Sequence, residues 1–226
     1  MLTPTPVTEF QQAPKSRTQV AFPNGSEPEA FYASSVPMNF ARNAEIFAEG
    51  EGGGYVYKLV SGVVRVSKLL PDGRRQISAF HLPGDMFGFE IDDIHHASAE
   101  AVVPVKVVAY KWHSLLGATV SSGFVYELLN RTMIGLRQTQ DHLLLLGRKN
   151  ALERLAAFLM EMARRSGSHS MLQLAMPRHD IADYLGLTLE TVSRMFAELK
   201  QAGVIELQTA RRVSVPDMSK LEAMAA

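Results

Sequence analysis

Short apolar runs alternate with turn signals between about residues 40 and 112. Pro71-Asp72-Gly73 is a strong turn, because proline presets φ and glycine supplies a positive φ. Many short strands at regular spacing favour a sandwich or a barrel over alternating strands and helices. We therefore predict a small antiparallel β-roll, whose strands lie in residues 45–48, 55–60, 63–67, 76–80 and 102–110.

From Phe124 the apolar positions recur about every 3.5 residues instead of every second residue. About 25 residues without a proline then predict one long helix, with the narrow apolar stripe that is typical of a coiled-coil seam. A helix packed on its own domain is the alternative, but the narrow stripe and its two threonines favour a close contact between two copies of the chain. The predicted dimer seam is Val125, Leu129, Thr132, Leu136, Thr139, Leu143 and Leu146.

Two short helices joined by a tight turn are predicted in residues 177–200, after a further helix that begins near Lys149. Gly186 stands where the first short helix ends in the left-handed conformation, and Thr188 is a good N-cap for the second. This arrangement is a helix-turn-helix, whose second helix enters the major groove of DNA. The predicted inward faces are Ile181, Ala182 and Leu185 on the first helix and Val192, Phe196 and Leu199 on the second.

Three outward-facing side chains at the start of the second helix suit base recognition. Arg194 can pair with both acceptors of guanine, and Glu190 can accept from the amino group of cytosine. Ser193 can hydrogen bond in either direction or contact a thymine methyl group. The alternative is a solvated surface on an ordinary helix pair, but the turn and the segment that follows favour DNA binding.

The following segment predicts a wing of two strands, residues 203–207 and 211–215, around a turn with a basic flank. From Asn150 onward the chain has nine lysines and arginines and nine aspartates and glutamates. Binding would therefore rely on a few placed contacts and show modest salt dependence for a DNA-binding protein. The candidate contacts to the DNA backbone, or secondary contacts, are Arg178, Thr188, Thr191, Lys200, Arg211 and Arg212.

Composition narrows the classes of function. The 226 residues carry 23 basic and 23 acidic side chains, so no overall positive field attracts nucleic acid or a membrane. The absence of cysteine excludes disulfides, thiol switches and cysteine-ligated iron–sulfur clusters. The sequence contains no run typical of a signal peptide or a membrane span, and residues 1–28 are rich in Pro, Thr, Gln and Ser. We expect a cytoplasmic protein with a flexible N-terminal arm.

Residues 180–194, DIADYLGLTLETVSR, resemble the recognition motif of the CRP/FNR family of bacterial transcription regulators, and most of all its FixK branch. Gly62, Pro83-Gly84-Asp85 and Phe87-Gly88-Phe89 resemble the family's β-roll glycines, and residues 147–154 resemble its hinge. The resemblance implies an α+β fold in four parts. These are a flexible arm (1–28), a cyclic-nucleotide-binding-like β-roll (29–120), a dimerisation helix (121–148) and a winged helix-turn-helix domain (149–226).

The resemblance also implies a function. Glu190, Ser193 and Arg194 match the Glu-x-x-Ser-Arg triplet of FNR-type regulators, which implies a palindrome of TTGAT and ATCAA half-sites separated by four base pairs. A homodimer would bind this double-stranded operator and recruit RNA polymerase, mainly to activate genes of low-oxygen metabolism such as respiration, denitrification or nitrogen fixation. The candidate polymerase-contact loop carries Asp92, Asp93, His95 and His96.

The sequence indicates neither an effector nor a cofactor. Family members that bind cyclic AMP carry a Gly-Glu pair and a later arginine that pairs with the phosphate, whereas here Phe89 replaces the glutamate and no arginine lies between Arg75 and Arg131. We therefore expect an effector-independent regulator without a bound metal. The open alternative is a sensor switched by haem, nitric oxide or a small molecule, with histidine ligands at His81, His95, His96 or His113. No phosphate loop, nucleophile elbow or His-Glu-x-x-His run in the sequence points to an enzyme.

Overall fold

The computed structural model describes residues 35–90, 92–111, 122–168 and 170–225. No helix in these ranges is long and apolar enough to cross a membrane. The predicted N-terminal arm and His113 lie outside the described residues. The elements, in chain order, are β1 (Ser35–Phe40), β2 (Glu45–Phe47), β3 (Tyr55–Ser61), β4 (Val64–Leu69), β5 (Arg75–His81), β6 (Met86–Phe87), β7 (Ser98–Ala101), β8 (Val105–Lys111), α1 (Ser122–Arg148), α2 (Ala151–Ser166), β9 (Met171–Gln173), α3 (Arg178–Leu185), α4 (Leu189–Gln201), β10 (Glu206–Leu207), β11 (Arg212–Ser214) and α5 (Met218–Ala225).

Two four-stranded antiparallel sheets form the β-roll, with strand orders β1-β8-β3-β6 and β2-β7-β4-β5. Their inward side chains, among them Leu59, Val64 and Phe87, form an apolar core. Gly62 has a φ of +92° in the turn between β3 and β4, and a Cβ there would lie 2.5 Å from the carbonyl oxygen of Pro104. This turn therefore requires glycine.

The long helix α1 ends where a capping box starts the next helix. The side chain of Asn150 accepts two backbone N–H groups in the first turn of α2, while the Glu153 carboxylate accepts the N–H of Asn150 at 2.9 Å. Arg154 then donates to the carbonyl oxygens of Leu146 and Lys149, each at 2.8 Å. These bonds satisfy carbonyl groups that the end of α1 leaves without helical partners.

The C-terminal domain packs four helices against a three-stranded sheet of order β10-β11-β9. β10 and β11 form the predicted wing. β9 and α5 were not predicted, because a strand of three residues and a helix of eight carry little periodic signal. Helix α5 packs on α2, and its Leu221 is fully buried in the domain core.

The β-roll and the C-terminal domain share one hydrophobic cluster. Phe80 on β5 contacts Phe158 on α2 and Tyr184 on α3, with ring centroids 6.3 Å and 5.1 Å apart. The His142 ring on α1 stacks on Tyr184 at 4.0 Å, and burial lowers the pKa of His142 to about 4. The β-roll, α1 and the helix-turn-helix therefore meet at Tyr184. The predicted α+β fold, with β-roll, long helix and winged helix-turn-helix, is confirmed.

Candidate nucleic-acid interface

Helices α3 and α4 form a helix-turn-helix with the predicted turn. Gly186 has a φ of +63°, and its N–H donates to the carbonyl oxygen of Ala182, which ends α3. The Thr188 hydroxyl oxygen accepts the N–H of Thr191 at 3.2 Å and so caps α4. The inward faces are buried as predicted, with Met195 in addition: Ile181, Ala182, Leu185, Val192, Met195, Phe196 and Leu199.

Replacing Thr188 by alanine removes the cap of α4, and we expect the free energy of unfolding to fall by about 1 kcal/mol. Denaturant unfolding of the purified protein measures this change. Thr188→Ser keeps the hydroxyl acceptor and is the matched control, with stability close to wild type. An equal loss of stability in both variants would contradict the capping role.

The predicted base-contacting side chains, Glu190, Ser193 and Arg194, are all exposed on the outer face of α4. Hydrogen bonds from the backbone N–H of Glu190 itself and from the Thr188 side chain lower the pKa of Glu190, so its carboxylate is an ionised acceptor. The Ser193 hydroxyl donates to the carbonyl oxygen of Leu189 at 2.8 Å, which leaves its oxygen lone pairs available as acceptors. The helix therefore presents two acceptors and one guanidinium on a single surface.

Leu189 is a further candidate base contact, which the sequence analysis did not include. It is the first residue of α4, and its side chain is 44% exposed next to Glu190. An exposed apolar side chain at this position can contact a thymine methyl group. The sequence carried no signal for this exposure, because Leu189 continues the spacing of three and four residues that Val192, Phe196 and Leu199 follow and would be assigned to the inward face.

The candidate contacts to the DNA backbone lie around the recognition helix and the wing. Thr209 shapes the wing turn, because its hydroxyl oxygen accepts the N–H groups of Arg211 at 3.2 Å and Arg212 at 3.0 Å. This turn leaves the Arg212 side chain exposed beside the winged sheet. Of the predicted set, Thr188, Lys200 and Arg212 are exposed, and Thr191 and Arg211 are half-buried.

Arg178 departs from its predicted role as a backbone contact. Its guanidinium carbon lies 3.1 Å from the centroid of the Phe196 ring, in a cation–π contact. Burial lowers the pKa of Arg178 to about 10, and its buried Nη1 has no hydrogen-bond partner among the described residues. In this structure Arg178 packs against its own domain instead of facing a phosphate.

An exposed apolar surface, here called the α1 stripe, runs along one side of the long helix. It consists of Leu129, Met133, Leu136 and Leu143, which are 59%, 55%, 50% and 70% exposed. A rotation of about 100° per residue places these four side chains on one face. Apolar side chains grouped in this way mark an interaction surface.

The structure adds two observations on the predicted dimer seam. Leu146 is partly buried against the core of its own chain, beside Gly186, which reduces the surface it can offer to a second copy. Met133, which was not predicted, lies within the α1 stripe. Thr132 and Thr139 are exposed along one edge of it, and their hydroxyls donate to backbone carbonyls one turn earlier at 2.9 Å and 3.0 Å. The side chain of Val125 lies outside the described residues.

The candidate polymerase-contact loop is corrected at His95. This side chain is 1% exposed, its ring stacks on Phe47 at 3.6 Å, and its Nδ1 lies 3.2 Å from a carboxylate oxygen of Glu90. His95 therefore packs the loop onto the β-roll and offers no surface to a partner. The other three predicted side chains, Asp92, Asp93 and His96, are exposed.

Glu90, Asp92 and His96 form the group within the described ranges whose side chains could hold a metal ion. Their ligand atoms lie within 4.8 Å of one another, and carboxylate and imidazole are common ligand types. However, His96 Nε2 lies 2.9 Å from each Asp92 carboxylate oxygen, so these side chains already bond one another.

A cavity of about 320 Å³ lies between the β-roll, α1 and α2. Two arginines that the sequence analysis did not place here line this cavity. Arg131 donates to the carbonyl oxygen of Gly84 at 2.8 Å, and Arg165 pairs with Asp85 and Glu161. Both guanidinium groups come from helices that follow the β-roll in the chain, and the protein itself engages both of them. Other side chains of the wall include Phe87, Glu90, Thr139 and Tyr184.

The β-roll, the long helix and the winged helix-turn-helix together define a DNA-binding transcription regulator. Comparisons with known protein families and structures support this class. The Crp-like helix-turn-helix domain matches residues 153–224, and the cyclic nucleotide-binding domain matches residues 37–119.

The nitrogen fixation regulation protein FixK of Azorhizobium caulinodans is 48% identical over 196 residues, which cover 84% of this chain and 79% of that protein. FixK of Rhizobium meliloti is 42% identical over 180 residues, 80% of this chain and 81% of the relative. The solved structure of FixK2 from Bradyrhizobium japonicum has a TM-score of 0.80 at 44% identity and covers 85% of this chain and 98% of its own. The chain belongs to the CRP/FNR family and is a FixK-like transcription regulator, not an enzyme.

Proposed function

We propose that the protein binds as a homodimer to a palindrome of TTGAT and ATCAA half-sites separated by four base pairs. The observation that carries this proposal is the exposed triplet Glu190, Ser193 and Arg194 on the recognition helix. Arg194 would pair with the guanine of TTGAT, and Glu190 would accept from a cytosine of the opposite strand. Leu189 would contact a neighbouring thymine methyl group.

The α1 stripe supports the dimer. Two copies that pair through this stripe would bury its exposed leucines and relate the two recognition helices by a two-fold axis. Such a dimer matches a palindrome when its helices stand about 34 Å apart, which is one turn of DNA.

Recruitment of RNA polymerase is part of the same proposal. The exposed loop with Asp92, Asp93 and His96 is the candidate contact, and activation is the main expected outcome. The FixK relatives carry nitrogen fixation regulation in their names, which supports control of low-oxygen metabolism. Binding in the absence of an effector is proposed because Phe89 stands in place of the family's glutamate, and because Arg131 and Arg165 are bonded within the protein.

The test is binding of the purified, ligand-free protein to a TTGAT-N4-ATCAA duplex, beside a scrambled duplex, at fixed salt. We expect the operator duplex to bind at least about 1,000-fold more tightly, which is the lower end of the range for specific DNA-binding proteins. Equal affinity for both duplexes would overturn the proposal. A raised salt concentration should weaken binding less steeply than for a strongly basic protein, because residues 150–226 carry as many acidic as basic side chains.

A second candidate function is effector gating, which the cavity of about 320 Å³ favours because its volume suits a small ligand. Two measurements test effector gating: a visible absorption spectrum of the purified native protein, and mass spectrometry of the small molecules that it releases on denaturation. A Soret band or a co-purified small molecule whose removal changes operator affinity would support gating.

A further inference from the structure

Asp180 is a fully buried carboxylate at the junction of the two domains. It lies in the first turn of α3 with no exposed surface, and both of its oxygens pair with arginines of the β-roll. Arg65 Nη1 on β4 lies 2.8 Å from Oδ2, and Arg75 Nη2 on β5 lies 2.5 Å from Oδ1. His179 Nε2 also lies 3.1 Å from Oδ1. A buried charge without partners is costly, and these contacts make the position of Asp180 tolerable.

Three more groups complete this arrangement, here called the Asp180 network. Arg65 also donates through Nε to Glu100 at 2.7 Å, and Arg75 Nη2 lies 2.7 Å from Asp183 on the next turn of α3. The Gln76 amide donates to the backbone carbonyl of Asp183 at 2.7 Å. Arg65 on β4 and the consecutive residues Arg75 and Gln76 on β5 therefore hold the first two turns of α3, the first helix of the helix-turn-helix.

The Asp180 network restricts the relative orientation of the two domains more tightly than apolar packing alone would. Phe80 and Tyr184 pack beside it, but aromatic contacts tolerate small rotations, whereas ion pairs with hydrogen bonds require defined distances and angles. Its side chains contact α3, while Glu190 and Arg194 on α4 remain exposed. The arrangement held by the network is therefore compatible with DNA binding.

We propose that the Asp180 network is a positioning device, which sets the orientation of the helix-turn-helix on the β-roll and so determines the half-site spacing that the dimer accepts. This inference rests on the proposed function, because spacing has meaning only for a dimer on a palindrome. A network that merely stabilised the fold would change the fraction of active protein equally for every spacing. A positioning network changes the preference among spacings.

The experiment uses full-length wild type and variants on TTGAT-Nx-ATCAA duplexes with spacers of two to six base pairs, at fixed salt. Asp180→Asn keeps the shape and removes the charge. Arg75→Met is the second variant, since Arg75 is partly exposed and its loss is less disruptive to folding. Leu221→Ala destabilises the same domain from α5, which packs on α2 and carries no member of the network, and it is the matched control. Thermal unfolding of each protein measures the loss of stability.

We expect wild type to prefer the spacer of four base pairs by at least about 10-fold, and both network variants to reduce this preference to about threefold or less. Leu221→Ala should keep the wild-type profile. Network variants that keep the wild-type profile, or that lose affinity equally at every spacing, overturn the inference alone. A wild type that does not distinguish the operator from a scrambled duplex overturns the proposed function instead.

Discussion

Replacing Arg194 by alanine weakens binding to the TTGAT-N4-ATCAA duplex by about 5- to 150-fold, or about 1–3 kcal/mol. The reason is the loss of a bidentate pair with guanine O6 and N7, which only a guanidinium on the outer face of α4 can supply. The guanidinium is free to do so, because Arg194 is exposed at the centre of the recognition surface. Affinities for the operator and for duplexes with each substitution at that guanine measure the effect.

The two controls separate base recognition from general charge. Arg194→Lys keeps the charge but not the bidentate geometry, so it should lose most of the preference for guanine. Lys200→Ala removes an exposed charge at the other end of α4 and should weaken binding similarly on all sequences, with a shallower salt slope. If Arg194→Ala lowered affinity equally on operator and random DNA, Arg194 would be a phosphate contact.

Placing a charge in the α1 stripe separates the dimer. Leu136 is 50% exposed in the chain and would be buried between two copies, so Leu136→Glu would place two carboxylates together in an apolar seam. We expect a monomer at micromolar concentration and a loss of operator affinity of at least about 100-fold, because one half-site alone supplies half of the contacts. Sedimentation equilibrium and operator binding measure the two effects.

Ile134→Glu is the matched control for this prediction. Ile134 is also an exposed apolar residue of α1, at 48%, but lies away from the face that carries the α1 stripe. The variant should remain dimeric and bind the operator like wild type. A Leu136→Glu protein that stayed dimeric with full affinity would contradict the role of the stripe.

Much of this architecture follows from short-range rules. A glycine that must end a helix at positive φ, a threonine that caps the next helix and an apolar spacing of three and four residues act within a single turn of chain. These rules predicted Gly186, Thr188 and the buried face of α4, and all three are as predicted. The outward direction of Glu190, Ser193 and Arg194 then follows from helix geometry.

The sequence did not predict which side chains of one loop and of the α1 face are exposed and which are buried. His95 and His96 are adjacent polar residues on one loop, yet the first is 1% exposed and the second is exposed, because Phe47 of a distant strand stacks on the first ring. Leu146 continues the spacing of the predicted seam, but the helix-turn-helix of the same chain packs against it. Neither distinction is encoded in the local pattern.

Local pattern alone thus predicted the main strands and helices, the cap at Thr188 and the outward face of the recognition helix, since each depends on residues within a few positions of one another. The docking of the C-terminal domain on the β-roll decided the rest. It partly buried Leu146, enclosed the cavity beside Arg131 and Arg165, and brought Arg65 to Asp180 across 115 positions of the chain. A charged residue gives no sign in sequence of whether its partner is water or a distant side chain, because only packing determines how much solvent remains around it.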